Sequence, residues 1–404
     1  MWEQIRSNQI RSIILVAALG SVLLLLGYFL GAAFLDSYVA GLAIALVLWI
    51  ILNLVALFEG DHILLALAKA RKIEKADHPR LYNIVEEMKI ASGLEHMPEI
   101  YIIDDPALNA FATGRNPKRS AVAITSGLLQ KLNRDELQGV IAHEMAHIKN
   151  RDVLLMAFCS ILLGAIVILA QMIFWSALFG GAGNRRSSSG GGQGAAIIML
   201  IALVLMIVAP ILAQLIYYAI SRRREYLADA SGALYTRYPE GLASALEKLG
   251  RSTGQLKSAT QATAPMYIVN PFRKHGMAAS DLSSTHPPLS ERIRILRSMG
   301  GGAGFDSYQQ AYSQVHGGAA GGLPASALAA PGALGLAASA PSTRETKAER
   351  LDMARETSDL LWKESKHALV QCQCGTKLRV PQEYKGSSIK CPHCGRSNPV
   401  PGRE

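Results

Sequence analysis

The chain of 404 residues is 50% hydrophobic and only 18% charged, and its formal net charge is +10. With a mean hydropathy of +0.20, this composition is too apolar for an ordinary soluble protein of this length and favours an integral membrane protein. The positive charge favours acidic membrane lipids as partners, and nucleic acid is not expected as the main one.

Two uncharged apolar runs open the chain, at residues 13–35 and 38–58. Each is long enough to cross about 30 Å of hydrocarbon as a helix, so we predict two transmembrane helices within residues 1–58. A buried core helix is the alternative for either run. The first run is too long for a cleaved signal peptide and lacks the small residues of a cleavage site, which indicates an uncleaved anchor.

The distribution of basic residues predicts the orientation of these helices. Arg6 and Arg11 precede the first run, and a basic stretch from Lys69 to Lys75 follows the second. Because basic flanks remain on the cytoplasmic side, the N-terminus and the segment after the second run should both lie in the cytoplasm, at the plasma or inner membrane.

A short β-rich region follows. Residues 99–105 and 121–126 have the composition of strands, with residues 109–114 between them. If residues 109–114 form an exposed edge strand, an extended peptide can pair with it, and Asn109 would then lie beside that peptide. An ordinary hairpin turn is the alternative.

A helix carrying the sequence HExxH comes next. Asn133 and Glu136 form a capping-box pattern at its start. His143 and His147, four residues apart, lie on one helix face, where both imidazoles can bind a single zinc ion. Glu144 lies beside them and can act as general base on a water molecule that attacks a carbonyl. A solvated helix face is the alternative.

Two further apolar runs, at residues 153–179 and 195–220, predict a helical membrane hairpin over residues 153–220, although both runs could instead be partly buried in protein. His147 lies shortly before this hairpin and Glu225 shortly after it, so an antiparallel helix pair would bring them to the same height. Glu225 is therefore the predicted third zinc ligand, and Asp229 would orient a ligating histidine. Simple pairing of both carboxylates with Arg222–Arg224 is the alternative.

The region after the hairpin contains one more candidate. His286 precedes Pro287 and Pro288, which stiffen the backbone, so its side chain could be held near the metal to stabilise an oxyanion. A packing role at the start of a helix is the alternative. Residues 301–345 are rich in Gly, Ala and Pro and predict a flexible linker, and residues 346–370 predict a helix.

Cysteine pairs mark residues 371–404 as a separate zinc-ribbon-like domain. Cys372 and Cys374 form the first pair, and Cys391 and Cys394 form the second. Four thiolates around a second, structural zinc ion would fold a segment too small to build its own core. The first pair is one residue shorter than CxxC, so His393 could replace one cysteine. Disulfides are not expected in the cytoplasm, and nucleic-acid binding by the ribbon stays an alternative.

Four segments of this sequence resemble the HtpX family of membrane zinc endopeptidases: residues 109–114 (NAFATG), 143–152 (HEMAHIKNRD), 221–230 (SRRREYLADA) and 284–293 (STHPPLSERI). Their order and spacing resemble that family over about the first 300 residues. The resemblance implies a cytoplasm-facing protease of membrane protein quality control, with His143, His147 and Glu225 as zinc ligands and Glu144 as base. It also supports the edge-strand interpretation of residues 109–114.

The sequence therefore predicts a mainly α-helical integral membrane protein with four hydrophobic helices. A cytoplasmic α+β zincin-type metalloprotease domain spans residues 59–300, and a small β zinc-ribbon-like tail follows. Membrane or misfolded proteins and peptides are the expected substrates. No ATP-binding motif is evident, so hydrolysis should not depend on ATP. The alternatives are a prenyl-protein endopeptidase and a non-proteolytic membrane scaffold that recruits partners through the ribbon.

Overall fold

The computed structural model describes residues 2–35, 37–154, 156–158, 160–162, 164–166, 224–252, 254–260, 263–272, 286–318, 322–329, 337–341, 346–364, 368–381, 384 and 386–400, together with residues 168, 204, 207, 208 and 211. The apolar run predicted at residues 195–220, and the second half of the run at 153–179, lie outside this set except for isolated positions.

Two long helices open the chain, α1 (Trp2–Phe34) and α2 (Tyr38–Leu67). They pack through small residues, since a Cβ added at Gly31 would lie 2.4 Å from the Cα of Gly41. Among the described helices, α2 is the one long and apolar enough to cross a membrane, whereas Val16–Ala32 and α6 (Asp152–Ile166) are shorter apolar helical stretches.

A four-stranded sheet forms the centre of the next domain. Its strands are β1 (Ala70–Ile73), β2 (Glu99–Ile103), β3 (Ala110–Asn116) and β4 (Arg119–Thr125), in the spatial order β1-β2-β4-β3. β2 and β4 are parallel, and the other two pairs are antiparallel. The strands agree with those predicted at residues 99–105 and 121–126, and β3 lies at the edge of the sheet.

Alternate side chains of the sheet face two different layers. One face carries Ile100, Val122 and Ile124, which pack with the helices α3 (Pro79–Ser92), α4 (Ser126–Lys131) and α5 (Arg134–Lys149). The other face carries Phe111 and Ala123, which pack with the C-terminal end of α2 and with α6. The sheet therefore connects the membrane-proximal helices to α5.

Helix α5 carries the HExxH sequence and begins at the predicted capping box. The Asn133 side chain accepts the Glu136 N–H at 2.9 Å, and Glu136 accepts the Asn133 N–H at 2.8 Å. The following helices are α7 (residues 224–236), α8 (Pro239–Arg251) and α9 (Leu289–Arg297). Gly139 lets α8 approach α5, because a Cβ there would lie 2.7 Å from the Leu242 nitrogen.

The prediction of a flexible linker over residues 301–345 is wrong for its described helical parts. Helices α10 (Phe305–Val315) and α11 (Ala325–Leu328) form there. Phe305, Tyr308 and Ala327 are buried in the same hydrophobic core as α5 and α9. Glycine and alanine dominate the composition of this region, but a few large apolar residues at helical spacing suffice to anchor it.

The C-terminal region contains the predicted helix and a pair of hairpins. Helix α12 (Lys347–Glu364) contacts α3 through Arg80, which pairs with Asp352 and Glu356. The first hairpin joins β5 (Ala368–Gln371) to β6 (Lys377–Val380), and the second joins β7 (Ser388–Lys390) to β8 (Ser397–Pro399).

His78 joins α12 to the start of α3 and is fully buried. Its Nδ1 accepts the Leu81 N–H at 3.2 Å, and its Nε2 lies 3.0 Å from Thr357 Oγ1. Burial lowers the pKa of His78 from 6.5 to about 4. The neutral imidazole is therefore the form that holds the two helices together.

The contact through His78 should weaken in acid. The unfolded chain takes up a proton at this residue below about pH 6.5, whereas the folded chain does so only near pH 4, so the stabilisation is complete above pH 6.5 and is lost as the pH falls toward 4. We expect a loss of about 3 kcal/mol, because the pKa falls from 6.5 to about 4 on folding and each pKa unit is worth about 1.4 kcal/mol. Amide exchange in residues 347–364, corrected for intrinsic rates, measures it.

The variant His78→Asn retains a helix-capping acceptor but does not titrate, so the pH dependence of its α12 exchange should be smaller and should reflect only the Arg80 pairs with Asp352 and Glu356. His96→Asn, at an exposed site, serves as the matched control and should behave like the unmodified protein. Identical pH profiles for the protein and His78→Asn would contradict the assignment.

Candidate active site

The two histidines of the HExxH sequence lie inside the protein. His143 is fully buried and His147 is 4% exposed. Their Nε2 atoms are 3.3 Å apart, and the two rings meet edge to face with their centroids 4.9 Å apart. Helical spacing on α5 has therefore directed both Nε2 lone pairs at one point, as a shared metal ion requires.

Helix α7 brings Glu225 to the same point. Its Oε2 lies 3.6 Å from His143 Nε2, and its Oε1 lies 3.5 Å from His147 Nε2. One ligand atom from each of these three residues lies within 4.8 Å of the others. Glu225 Oε2 is buried and has no hydrogen-bond partner among the described residues, so the donor set fits a cation between the three side chains.

A carboxylate holds the far nitrogen of each histidine. Asp229 Oδ1 lies 3.0 Å from His143 Nδ1, and Asp152 Oδ2 lies 3.3 Å from His147 Nδ1. Protonation of Nδ1 leaves Nε2 as the free acceptor on each ring, which is the tautomer that binds metal. The sequence pointed to Asp229 but not to Asp152, although Asp152 stands five residues after His147 at the start of α6.

Arg292 of α9 is fully buried and contacts both Asp229 and Glu225. Its Nε and Nη2 donate to the two oxygens of Asp229 at 2.7 Å and 2.6 Å, and its Nη1 lies 3.5 Å from Glu225 Oε2. This two-point geometry is the strong form of an arginine–carboxylate pair. No local sequence pattern distinguished this arginine from the exposed arginines of the same helix.

These contacts fix the charges of the site. Burial alone would lower the pKa of His143, but its hydrogen bonds with Asp229 and Glu225 raise it to about 9. Burial opposes ionisation of Glu225 as well, yet His286, His143 and His147 hold its pKa well below the usual value. The pocket therefore keeps Glu225 as a carboxylate and attracts positive charge.

Glu144 lies beside the three convergent side chains and is 1% exposed. Burial raises its pKa above the usual value, while the charges of His143 and His147 and a backbone hydrogen bond with Ala112 of β3 oppose that shift. Its Oε1 has no hydrogen-bond partner within the part of the chain that the structure describes. That oxygen is available to accept a proton.

The other two predicted residues differ in their placement. His286 is 5% exposed, and its Nε2 lies 3.6 Å from Glu225 Oε2, with burial lowering its pKa to about 4. Asn109 instead ties β3 to the segment after the 3₁₀ turn Ala264–Met266, because its Nδ2 donates to the Val269 carbonyl at 2.8 Å. His286 is thus at the site, and the structure gives Asn109 a local bracing contact.

The four tail cysteines also converge. Cys372 Sγ lies 3.5 Å from Cys394 Sγ, and Cys374 Sγ lies 3.6 Å from Cys391 Sγ. All four sulfur atoms lie within 4.8 Å of one another, and all four thiols are free. Hydrogen bonds with Thr376 lower the pKa of Cys374 to about 5, which favours the thiolate that a metal binds. His393 is not a member of this group.

A buried group of two histidines and a glutamate, with a second glutamate beside it on a helix that packs against a sheet with an edge strand, is an arrangement typical of a metallopeptidase. Residues 75–300 match the sequence profile of Peptidase family M48. The chain belongs to peptidase family M48. Membership of this family implies a metal ion, and it confirms the predicted HtpX-like membrane metalloprotease.

Three proteins named as HtpX homologues support this assignment over most of the chain. A "Protease HtpX homolog" of Syntrophobacter fumaroxidans is 44% identical over 294 residues, which are 72% of this chain and 99% of that protein. Those of Dictyoglomus turgidum and Streptococcus uberis are 42% and 39% identical over 299 residues, or 74% of this chain and 95% and 100% of theirs. A crystal structure of S. mikatae Ste24p is 22% identical, with a TM-score of 0.40, and the match covers 73% of this chain and 67% of that one.

Proposed function

We propose that His143, His147 and Glu225 bind one zinc ion and that Glu144 is the general base of peptide-bond hydrolysis. The observation that carries this assignment is the convergence of three buried ligand atoms within 4.8 Å of one another. Asp229 and Asp152 orient the two histidines, and Arg292 holds Asp229 in place. When bound, zinc supplies the Lewis acidity that amide hydrolysis at neutral pH requires.

Glu144 and His286 carry out the proton transfer and the stabilisation of the oxyanion. Glu144 takes a proton from the attacking water on its unpaired Oε1 and then delivers it to the amine nitrogen of the leaving peptide. His286, neutral because burial lowers its pKa to about 4, donates a hydrogen bond to the oxyanion that develops on the attacked carbonyl. The burial of the site excludes bulk water and strengthens both interactions.

The substrate adds to β3 as an extended chain. In the β3–β4 ladder, Thr125 N–H donates to Asn109 C=O, so the polar groups of Ala110, Ala112 and Gly114 point to the free edge. Ile268 N–H donates to the Ala110 carbonyl at 2.9 Å, and Ala112 N–H donates to Glu144, so an incoming peptide would replace the Ala112 bond as it pairs beside Glu144. Pairing through backbone groups does not depend on side chains, so it suits peptides and membrane or misfolded proteins of many sequences. Asn109, which directly precedes β3, would lie beside the bound peptide.

The protein acts at the cytoplasmic face of the plasma or inner membrane in protein quality control. Basic residues before α1 and after α2 support this orientation. The proposed topology includes the helical hairpin at residues 153–220, of which the described part of α6 is one arm. The tail binds a second, structural zinc ion through Cys372, Cys374, Cys391 and Cys394, and it forms a zinc-ribbon-like domain of two hairpins.

Metal content tests both sites in one experiment. The purified full-length protein, dialysed against a weak chelator, should retain two zinc ions per chain. Glu225→Ala should retain only the tail ion, because two histidines without the carboxylate bind zinc too weakly to survive dialysis. Cys391→Ser should retain only the ion of the peptidase site.

The variant Glu95→Ala removes a carboxylate that is 84% exposed and should keep both ions. Two zinc ions in Glu225→Ala would remove Glu225 from the ligand set. One zinc ion in the unmodified protein, unaffected by Cys391→Ser, would refute the tail site and leave the peptidase site standing.

A further inference from the structure

The turn between β3 and β4 is a short basic loop at the end of the edge strand. It contains Arg115, Lys118 and Arg119, of which the last two are exposed. None of the three lies within ion-pair distance of a carboxylate among the described residues, although Glu59 and Asp61 follow nearby in α2. The five residues from Arg115 to Arg119 therefore carry three positive charges without an ion-pair partner among the described residues. Such a patch is either solvated by water or binds an anionic partner outside the domain.

The backbone of this turn has a defined geometry. Register changes between Gly114 and Asn116, so Arg115 is the extra residue of a β-bulge. Gly114 has φ +140°, and a Cβ there would lie 2.3 Å from the Arg119 carbonyl oxygen, so glycine is required. Asn116 Oδ1 accepts the N–H groups of Lys118 and Arg119 at 2.9 Å and 3.0 Å. The bulge and this cap fix the backbone of the turn.

The bulge aims Arg115 at the membrane helix. Its guanidinium carbon lies 5.5 Å from the ring centroid of Phe58 in α2, and Phe58 is 57% exposed. Phe58 ends the uncharged run of α2. It lies twenty residues after Tyr38, or about 30 Å along the helix, which is the thickness of the hydrocarbon layer. The turn therefore lies at the level where hydrocarbon gives way to phosphate.

We propose that the β3–β4 turn binds the phosphate groups of anionic phospholipids, with Arg115 packed on Phe58 and with Lys118 and Arg119 directed at the headgroup layer. The inference rests on the membrane placement of α2 in the proposed function. Its consequence is that the lipid surface holds β3, and with it the free edge beside Glu144, at a constant distance from the bilayer. Each basic residue near such a surface changes lipid affinity about fivefold.

Hydrogen exchange of the full-length protein in lipid nanodiscs tests this site without reference to proteolysis. Discs of phosphatidylcholine alone are compared with discs that contain increasing phosphatidylglycerol, in a Glu144→Gln background that prevents self-cleavage. We expect exchange in residues 114–120 to slow as phosphatidylglycerol increases. In Lys118→Gln/Arg119→Gln, the apparent affinity for phosphatidylglycerol read from this slowing should fall more than tenfold.

The matched control is Lys131→Gln/Arg251→Gln, which removes the same charge from α4 and α8 on the opposite side of the sheet and should behave like the parent. Equal exchange in both kinds of disc, or an unchanged response of Lys118→Gln/Arg119→Gln, overturns the proposal. Slowing in phosphatidylcholine discs upon addition of glycerol phosphate would assign the turn to free anions instead. Unprotected amides in residues 38–58 would refute the membrane placement of α2 and the inference with it.

Discussion

Replacing Glu144 with glutamine should lower the rate of peptide hydrolysis by about 10²–10⁴-fold, with metal content unchanged. Glutamine has nearly the same shape, but its side chain cannot accept a proton from water and return it to the leaving amine. Glu144 also lies outside the group of three convergent ligand atoms, so its loss should not release the metal. Cleavage of casein or of a denatured membrane protein by the solubilised enzyme measures the effect.

A matched control comes from the same helix. Glu136 forms the cap of α5 and contacts Ser244 and Lys248, so Glu136→Gln changes a buried carboxylate that is remote from the three ligand atoms. Its effect should fall on stability, with little change in the rate for each folded molecule. Equal cleavage by Glu144→Gln and the unmodified protein would refute the assignment of Glu144 as base.

Replacing Arg292 with methionine should reduce the free energy of unfolding by about 3–5 kcal/mol. Methionine fills most of the volume but leaves the charge of Asp229 buried without its partner, and Glu225 loses the guanidinium 3.5 Å from its Oε2. Arg292→Lys restores a charge but not the two-point contact, so its cost should be intermediate. Urea-dependent pulse proteolysis of the solubilised protein measures the free energy of unfolding of both variants and of the unmodified protein.

Arg297, one and a half turns later on α9, provides the control. It pairs with Glu240 and Glu247 at the surface and is 41% exposed, so Arg297→Met should cost no more than about 1 kcal/mol. Equal costs for the two substitutions would show that the buried network adds nothing beyond an ordinary surface pair. The contrast between them isolates burial, because both residues belong to one helix and both contact carboxylates.

The parts of the site that depend on local spacing could be predicted from the sequence. The cap at Asn133 and the pair His143 and His147 require only helical geometry, and they appear as expected on α5. Glu225 could be placed because it follows the predicted hairpin at about the same distance by which His147 precedes it. The tail cysteines follow the same logic, since two short-spaced pairs bring four sulfur atoms together.

The rest depends on tertiary contacts that leave no periodic signal. Arg292 reaches Asp229 from 63 residues away, and only the packing of α9 on α7 shows that it is buried. Asp152 could be recognised only once the start of α6 was seen against His147. The prediction of a flexible linker was wrong for a related reason. It rested on the average composition of the segment, which does not reveal the few residues of α10 that are buried in the core.

Burial of α10 changes where the catalytic unit ends. The M48 match stops at residue 300, but Tyr308 of α10 is fully buried and its charge environment includes Asp229 and Arg292. A fragment that ends at residue 300 would lack α10 and would expose the core surface that Phe305 and Tyr308 cover. For this chain we therefore expect a fragment that ends at Leu328, after α11, to be more stable than one that ends at residue 300, because only the longer fragment keeps the buried side chains of α10 and α11.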